Sequence, residues 1–264
     1  MTVRHHHAVL RRALNVAVRQ RLLAYNPASA VELPEADPGV GMPLTADEAR
    51  RLLAAAEGDP SADPPVPPDP LRALWRLAIV SGLRQGELLG LAWEDLDGGR
   101  LTVRYQMQRL VSDAEREAAR REGRKPVGAW VRTAPKAARS VARVALDAGT
   151  VAALEAHRVR QAAERTADWR YFGHVFLTPR GDPIHGAELL DAFKAACRRA
   201  GIPERRFHDL RGSSATLMRD AGVAEDTRMA RLGHSTTEMS RHYAKASEAQ
   251  DQDAADRLGR ALSG

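Results

Sequence analysis

Residues 207–222 read FHDLRGSSATLMRDAG and predict a helix that begins with two cationic side chains. His208 and Arg211 lie three positions apart, so both face the same side of that helix. They belong to its first turn, where free backbone N–H groups and the helix dipole favour an anion. Gly222 ends the helix. Two cationic donors at this point form a phosphate site, although an ordinary exposed helix start is the simpler explanation of so short a motif.

The rest of the chain is predicted to be largely helical. Thr45 followed by Glu48 forms a capping box that begins one helix, and Gly82 and Gly233 end two others. Ser235 is expected to cap a further helix that contains Tyr243. Periodicity and end signals predict the remaining helices over 3–23, 44–58, 71–82, 83–96, 148–167, 186–201 and 224–233, with a polar helix over 248–262.

The period changes to that of a strand in the middle of the chain. Alternating, valine-rich segments over 100–107, 129–134 and 140–147 predict three short antiparallel strands, and residues 174–179 predict another short strand. The charged stretch 112–125 is expected to be a long loop or a small helical excursion. We therefore predict a mainly α fold with a small three-stranded antiparallel sheet, of the α+β class.

The composition of the 264-residue chain fits a folded, basic protein. Apolar residues make up 44%, which is enough for a core. The net charge of +6 suits a polyanionic partner, and residues 1–34 carry +4 of it because they hold five arginines and one glutamate. No apolar run reaches the ~18 residues that span a bilayer, and no signal peptide is seen. Cys197 fits a small buried hydrophobe in a reducing compartment, so we expect a cytoplasmic protein.

Two further cationic side chains are candidates for contacts with an anion. Arg84 follows a helix that ends in glycine, and Glu87 can hold its guanidinium in one rotamer for phosphate oxygens. Lys136 lies just past a predicted strand, in an expected tight turn, where a lysine can reach a ligand and give up a proton. Taken singly, a surface ion pair and an exposed hairpin lysine explain these residues better.

Tyr243 is a candidate nucleophile. It lies nine residues after His234, which is a rise of about 13 Å along a helix, so a phosphate fits between them only if the chain bends at Gly233. A phenol has a pKa of about 10 and needs neighbouring positive charge to attack at neutral pH. A solvated helix face with one half-buried aromatic is the plain alternative.

The ordered set is more specific than any of its parts. The segments SGLRQGELLGLAWEDLD (81–97), TAPKAARSVARVAL (133–146), FHDLRGSSATLM (207–218) and RLGHSTTEMSRHYA (231–244) resemble the tyrosine recombinase, or phage integrase, family. The resemblance covers essentially the whole chain and implies the catalytic-domain fold of that family.

The resemblance implies a site-specific DNA recombinase, an enzyme that cuts and rejoins strands through a 3′-phosphotyrosyl link. Tyr243 would be the nucleophile. Arg84 and Arg211 would stabilise the charge that develops on the phosphate, and Glu87 would position Arg84.

The same resemblance assigns the proton transfers and the partners. Lys136 would protonate the leaving 5′-oxygen, His208 would assist proton transfer, and His234 would hydrogen-bond the phosphate. No metal or nucleotide cofactor is implied, because the phosphotyrosyl bond conserves the energy of the cut strand. Double-stranded DNA, a homotetramer on paired DNA sites and accessory directionality factors are the implied partners, with the protein on the nucleoid when it is bound.

The beginning of the chain departs from the family pattern. Residues 1–34 resemble only the last long helix and exit linker of a core-binding domain, residues 35–43 read as a linker, and residues 44–264 read as the catalytic domain. We therefore expect an incomplete DNA clamp. The helical histidines 5–7 cannot share one face, which argues against a metal site. The arginines expected to contact DNA are Arg4, Arg11, Arg12 and Arg19.

Two alternative functions stay open at this point. The missing clamp helices would suit a remnant that binds DNA without completing recombination. A type IB topoisomerase would share the fold and the site chemistry. A covalent DNA adduct that depends on Tyr243 separates the enzyme from the remnant, and relaxation of supercoiled DNA without sequence preference would indicate the topoisomerase.

Overall fold

The structure is a computed structural model, described here over residues 3–34, 42–134, 142–170, 173–233 and 248–263. The chain divides into two compact units, residues 1–40 and 41–264. Within the described ranges no helix is both long and apolar enough to cross a membrane.

The first unit holds helix α1 (Val3–Arg19) and a short 3-10 helix, Pro27–Ala30. Helix α1 ends at Arg19 rather than at residue 23, because Arg21 takes a left-handed backbone conformation with φ 59°. Asn26 caps the 3-10 helix and donates its amide N–H to the carbonyl of Arg11 at 2.9 Å, which fastens the returning chain to α1.

The second unit is built mainly from helices. They are α2 (Ala46–Ala56), α3 (Arg72–Ser81), α4 (Gln85–Leu89), α5 (Asp113–Arg121), α6 (Ala148–Ala163), α7 (Gly186–Arg199), α8 (Asp209–Asp220), α9 (Glu225–Leu232) and α10 (Glu248–Ser263). Its strands are β1 (Leu96–Asp97), β2 (Arg100–Val103), β3 (Gln106–Leu110), β4 (Ala129–Thr133) and β5 (Ala142–Ala145).

The core is organised around α3, which is buried along most of its length because its sequence is apolar on nearly every side. It packs against α6 and α8, while α10 packs against α2, α8 and β5. The ring of Trp75 lies 5.5 Å from that of Phe193 and 6.2 Å from that of Phe207. This packing fixes the end of α3, and therefore the loop that leads to Arg84.

The helix start predicted from Thr45 and Glu48 is confirmed, whereas the start predicted at Ser235 lies outside the described residues. The Thr45 hydroxyl accepts the Glu48 N–H at 3.1 Å, and the Glu48 carboxylate accepts the Thr45 N–H at 2.9 Å. The charged stretch after β3 is a helix, α5, capped by Ser112. The segment 83–96 contains only the short α4 and a 3-10 turn, Trp93–Asp95, rather than one long helix.

A mainly α fold with a three-stranded antiparallel sheet is confirmed, but the strands are distributed differently from the prediction. The order in the three-stranded sheet is β1-β2-β5, and β3 pairs with β4 in a separate hairpin. The predicted strand 100–107 is broken between β2 and β3. The predicted strand 174–179 was wrong, since His174 and Leu177 make only isolated bridges to Ala92 and Pro183.

Candidate active site

Arg84 lies directly after the central helix, in a position fixed by the backbone. Helix α3 ends at Gly82, which has φ 62°, and Arg84 is the extended residue before α4. The Glu87 carboxylate accepts the backbone N–H of Arg84 at 2.8 Å and its Nη1–H at 2.9 Å. The contact with the guanidinium was predicted from the sequence, the contact with the backbone was not, and half of the arginine side chain (52%) stays exposed.

Arg211 comes from α8 and is held by two helix ends. Its Nη1 donates to the carbonyl of Gly82 at 2.7 Å, and its Nη2 donates to the carbonyl of Leu232 at the end of α9. Both acceptors belong to terminal turns whose carbonyls lack helical partners. Arg211 is therefore buried, 7% exposed, at the point where the ends of α3 and α9 meet α8.

The two guanidinium groups lie close enough to affect one another. Burial and, to a smaller extent, the positive charge of Arg84 lower the pKa of Arg211, and Glu87 partly offsets them, with a net result of about 10. The group still carries its charge at neutral pH. Two guanidiniums and one carboxylate leave a net charge of +1, so a bound anion would complete the charge balance of this cluster.

His208 is close to Arg211 in sequence but has a different environment. It is exposed and lies at the start of α8, with φ −63° and ψ −24°, and its carbonyl accepts the N–H of Arg211 at 3.2 Å. The neighbouring Asp209 is buried and pairs with Arg206. His208 therefore contributes an exposed imidazole to the start of the helix that carries the buried Arg211.

Three residues of the predicted set, Lys136, His234 and Tyr243, lie outside the described residues. The strands that flank Lys136 are described: β4 pairs with β3, whereas β5 pairs with β2. Over the described residues these strands therefore do not form the hairpin that the sequence predicted around Lys136. The described segments end at Gly233, directly before His234, and resume at Glu248, five residues after Tyr243.

The arginines predicted to contact DNA belong to the first unit. Arg4, Arg11, Arg12 and Arg19 are all exposed on α1. Arg4 donates two hydrogen bonds to the carbonyl of Pro34, at 2.9 and 3.0 Å. In the described part of the chain, no group of three histidine, cysteine or carboxylate side chains is arranged to hold a metal.

Sequence reasoning missed the two carbonyls that hold Arg211 and two buried charged groups elsewhere in the same unit. The Gly82 and Leu232 carbonyls left no sequence signal, because any residue supplies a carbonyl. A second omission is Arg231, which is 2% exposed and pairs with Asp251. A third is Asp95, which is buried and accepts hydrogen bonds from Arg104 and Arg132 at 3.0 and 2.9 Å. Charged residues at such spacing are ordinarily exposed, so the pattern alone gave no hint of burial.

Comparison with known sequences gives one family. The model of the phage integrase family matches residues 43–250. A tyrosine recombinase XerC-like protein of Caldanaerobacter subterraneus subsp. tengcongensis is 33% identical over 64% of this chain and 44% of its own length. The integrase of Mycobacterium phage L5 is 29% identical over 97% of this chain and 62% of its own length. The chain thus spans about half the length of these relatives. The tyrosine recombinase XerC of Mycobacterium bovis is 30% identical over 87% of this chain and 68% of its own.

Solved structures share the fold. A Tn1549 transposon integrase in complex with circular intermediate DNA superimposes with a TM-score of 0.68 at 18% identity, over 95% of this chain and 76% of that one. A lambda integrase dimer bound to a COC′ core site gives a TM-score of 0.56 at 19% identity, over 92% of this chain and 74% of the other.

Proposed function

The chain belongs to the phage integrase family, and we propose that it is a site-specific recombinase that cuts and rejoins DNA strands through Tyr243. The observation that carries this proposal is that the guanidinium of Arg84 lies near that of the buried Arg211. Two guanidiniums with a single carboxylate are suited to the non-bridging oxygens of a phosphodiester, whose charge grows as a fifth oxygen approaches phosphorus. Neither guanidinium needs to reorganise, because Glu87 and two carbonyls already hold them.

In the proposed reaction the Tyr243 oxygen bonds to phosphorus while the bond from phosphorus to the 5′-oxygen breaks. The phenolic proton leaves to a nearby base, and Lys136 gives a proton to the departing 5′-oxygen. The products are a 3′-phosphotyrosyl link and a free 5′-hydroxyl. Attack by a 5′-hydroxyl from another strand reverses these steps and releases Tyr243. No metal or nucleotide cofactor takes part, since the number of phosphoester bonds does not change.

The two histidines have separate roles in this proposal. His208 assists proton transfer at the nucleophile, which agrees with its exposure next to Arg211. His234 follows Gly233 and donates a hydrogen bond to the phosphate.

The proposal extends to partners and location. The Tn1549 integrase structure contains circular intermediate DNA and the lambda integrase dimer is bound to a core site, and double-stranded DNA is the substrate that we assign to this chain. Because each active site cuts one strand, exchange between two duplexes requires four copies, and we propose a homotetramer with accessory directionality factors. The protein would act in the cytoplasm, on the nucleoid when bound.

A pool of nicked duplexes with a randomised core sequence tests the chemistry. Cleavage beside the nick releases a short oligonucleotide, so the covalent adduct cannot rejoin and survives denaturing detergent. We expect wild-type chain to form such adducts, and sequencing the linked strands gives the target site. Tyr243→Phe should form none, whereas Tyr25→Phe, which changes an exposed tyrosine, should match the wild type.

The outcomes separate the proposal from its alternatives. Salt-sensitive DNA binding without any adduct would show a binding remnant and overturn the proposal. Relaxation of supercoiled plasmid with no sequence preference among the recovered adducts would indicate topoisomerase-like activity instead.

A further inference from the structure

A buried ion pair lies outside the site described above and joins three elements. The guanidinium of Arg231, in the last turn of α9, pairs with the Asp251 carboxylate in the first turn of α10. Arg231 Nη1 also donates to the Asp251 carbonyl at 2.9 Å. The arginine side chain is 1% exposed and that of the aspartate 11%.

The same pair forms hydrogen bonds with the backbone of β5. The Ala145 N–H donates to Asp251 Oδ2 at 2.7 Å, and the Ala145 carbonyl accepts from Arg231 Nη2 at 3.0 Å. Among the described strands β5 is at the edge of its sheet, so its outward backbone groups are open to partners other than a strand. We call Arg231, Asp251 and the Ala145 backbone the β5–α10 anchor.

The groups of the anchor lie close in sequence to the proposed catalytic residues. Arg231 lies three residues before His234, and Asp251 lies eight residues after Tyr243. Ala145 lies nine residues after Lys136. The anchor therefore holds both ends of the segment 234–247 and the exit of the segment 135–141 at one point of the core.

Stability alone is a weak explanation for such a pair. Burial lowers the pKa of Arg231, which reflects the cost of removing a guanidinium from water, and the Asp251 and Asp147 carboxylates oppose this effect. Buried ion pairs often contribute no more than an apolar pair of the same size, although removing one partner is strongly destabilising. A directional contact with a backbone does what an apolar pair cannot, since it fixes the relative position of the three elements.

We propose that the β5–α10 anchor positions the segments that carry Lys136 and Tyr243 for strand cleavage. This inference rests on the proposed function for its consequence in catalysis. Arg231 and Asp251 act through those segments, so they are positioning residues and do not touch the phosphate themselves.

Hydrogen exchange tests the physical part without any activity. Asp251→Asn, on α10, should speed amide exchange in peptides covering 231–250 and also in those covering 135–145. Asp253→Asn is the matched control, because Asp253 is on the same helix and its pair with Arg257 is exposed. If exchange over 135–145 is the same in Asp251→Asn as in the control, the anchor does not couple the two segments and the proposal fails.

Cleavage on a duplex recovered from the randomised pool tests the catalytic part. With saturating DNA, well below the melting temperature, we expect Asp251→Asn to form the adduct at least tenfold more slowly, with the Kd for DNA changed less than twofold. The double variant Arg231→Met, Asp251→Leu removes both charges and should regain stability. Its cleavage should stay slow, because the contacts to Ala145 are gone.

These measurements separate the possible failures. Wild-type cleavage restored together with stability in the double variant would show a purely structural pair and overturn the proposal. Absence of any adduct from the wild-type chain would overturn the proposed function instead, and hydrogen exchange would still decide whether the anchor couples the segments.

Discussion

The Arg84–Glu87 pair connects a single carboxylate to the proposed chemistry. Half of the Arg84 side chain is exposed, so the pair adds little to the stability of the fold. We expect Glu87→Gln to slow adduct formation about fivefold, since a charge-assisted hydrogen bond is replaced by a neutral one worth ~1 kcal/mol less. The melting temperature should change little. Single-turnover cleavage of the selected duplex measures the effect.

A carboxylate elsewhere controls for the loss of charge. Glu164 pairs with Arg160 at 2.8 Å near the end of α6. Glu164→Gln should cleave at the wild-type rate. Equal rates for Glu87→Gln and the wild type would show that Arg84 needs no carboxylate to hold its position.

Because Arg211 is charged, we expect the Arg84–Arg211 cluster to bind inorganic phosphate. The pKa of Arg211 is lowered to about 10, so the group keeps its charge between pH 6 and 8 and should bind the anion throughout that range. Phosphate at ten times its Kd should stabilise the fold by about 1.4 kcal/mol. Thermal unfolding in phosphate, compared with sodium chloride of equal ionic strength, measures this. Arg84→Gln should lose most of the difference, and an equal gain in that variant would show a general salt effect.

The junction of α3 and α4 requires a glycine at position 82, where α3 ends. Its φ is 62°, and an added Cβ would lie 2.4 Å from Leu232 Cδ2 and 3.0 Å from Ser214 Oγ. We expect Gly82→Ala to cost about 3 kcal/mol, from the left-handed backbone and the clash together, and to displace the carbonyl that accepts from Arg211. Urea unfolding measures the loss, and cleavage should fall with it.

Gly201 separates the two contributions to that loss. It has the same φ of 62° after α7, but an added Cβ would meet nothing within 4 Å. Gly201→Ala should therefore cost about 1 kcal/mol, the backbone term alone. Equal losses at the two positions would show that the contact with Leu232 and Ser214 yields without cost.

The sequence was informative about elements where a local signal exists. Thr45 with Glu48, and Gly82, mark helix ends through backbone hydrogen bonds that involve near neighbours, and both were predicted. The order of the strands depends on contacts distant in sequence, so the break between β2 and β3 and the pairing of β2 with β5 were not predicted. The same holds for Arg231, because its burial follows from Asp251 and Ala145, which are 20 and 86 residues away.

The candidate site shows the same division. The spacing of Arg84 and Glu87 predicted a contact between near neighbours, and the two side chains form it. The carbonyls that hold Arg211 come from α3 and α9, at separations of 129 and 21 residues, and no pattern in a single sequence reports them.

At the scale of the whole molecule, positive charge is concentrated in the first segment of the chain, residues 1–34. Residues 1–34 carry +4 of the net +6, and the remaining residues hold 35 basic and 33 acidic side chains. The Arg84–Arg211 cluster belongs to the remaining residues, 35–264, whose charges nearly balance. Affinity for the DNA backbone and the chemistry on one phosphate should therefore be separable, with the arginines of α1 supplying affinity through release of counterions.

Arg11 and Arg12 test this separation. Both are exposed, and neither side chain makes a hydrogen bond or ion pair with a described residue, so their charges are available to phosphates. Replacing both by glutamine should make the negative slope of log K against log salt shallower by about 1.8, which is about 0.9 for each lost phosphate contact. Fluorescence anisotropy with the selected duplex, over a salt range from about 50 to about 300 mM, measures the slope. Arg51→Gln with Arg116→Gln is the matched control, because those arginines pair with Asp47 and Asp113 on the second unit.

The cleavage rate with saturating DNA should stay unchanged in both double variants. An unchanged slope for the α1 variant would mean that this helix does not contact DNA, and a slower cleavage rate at saturation would mean that it does more than bind.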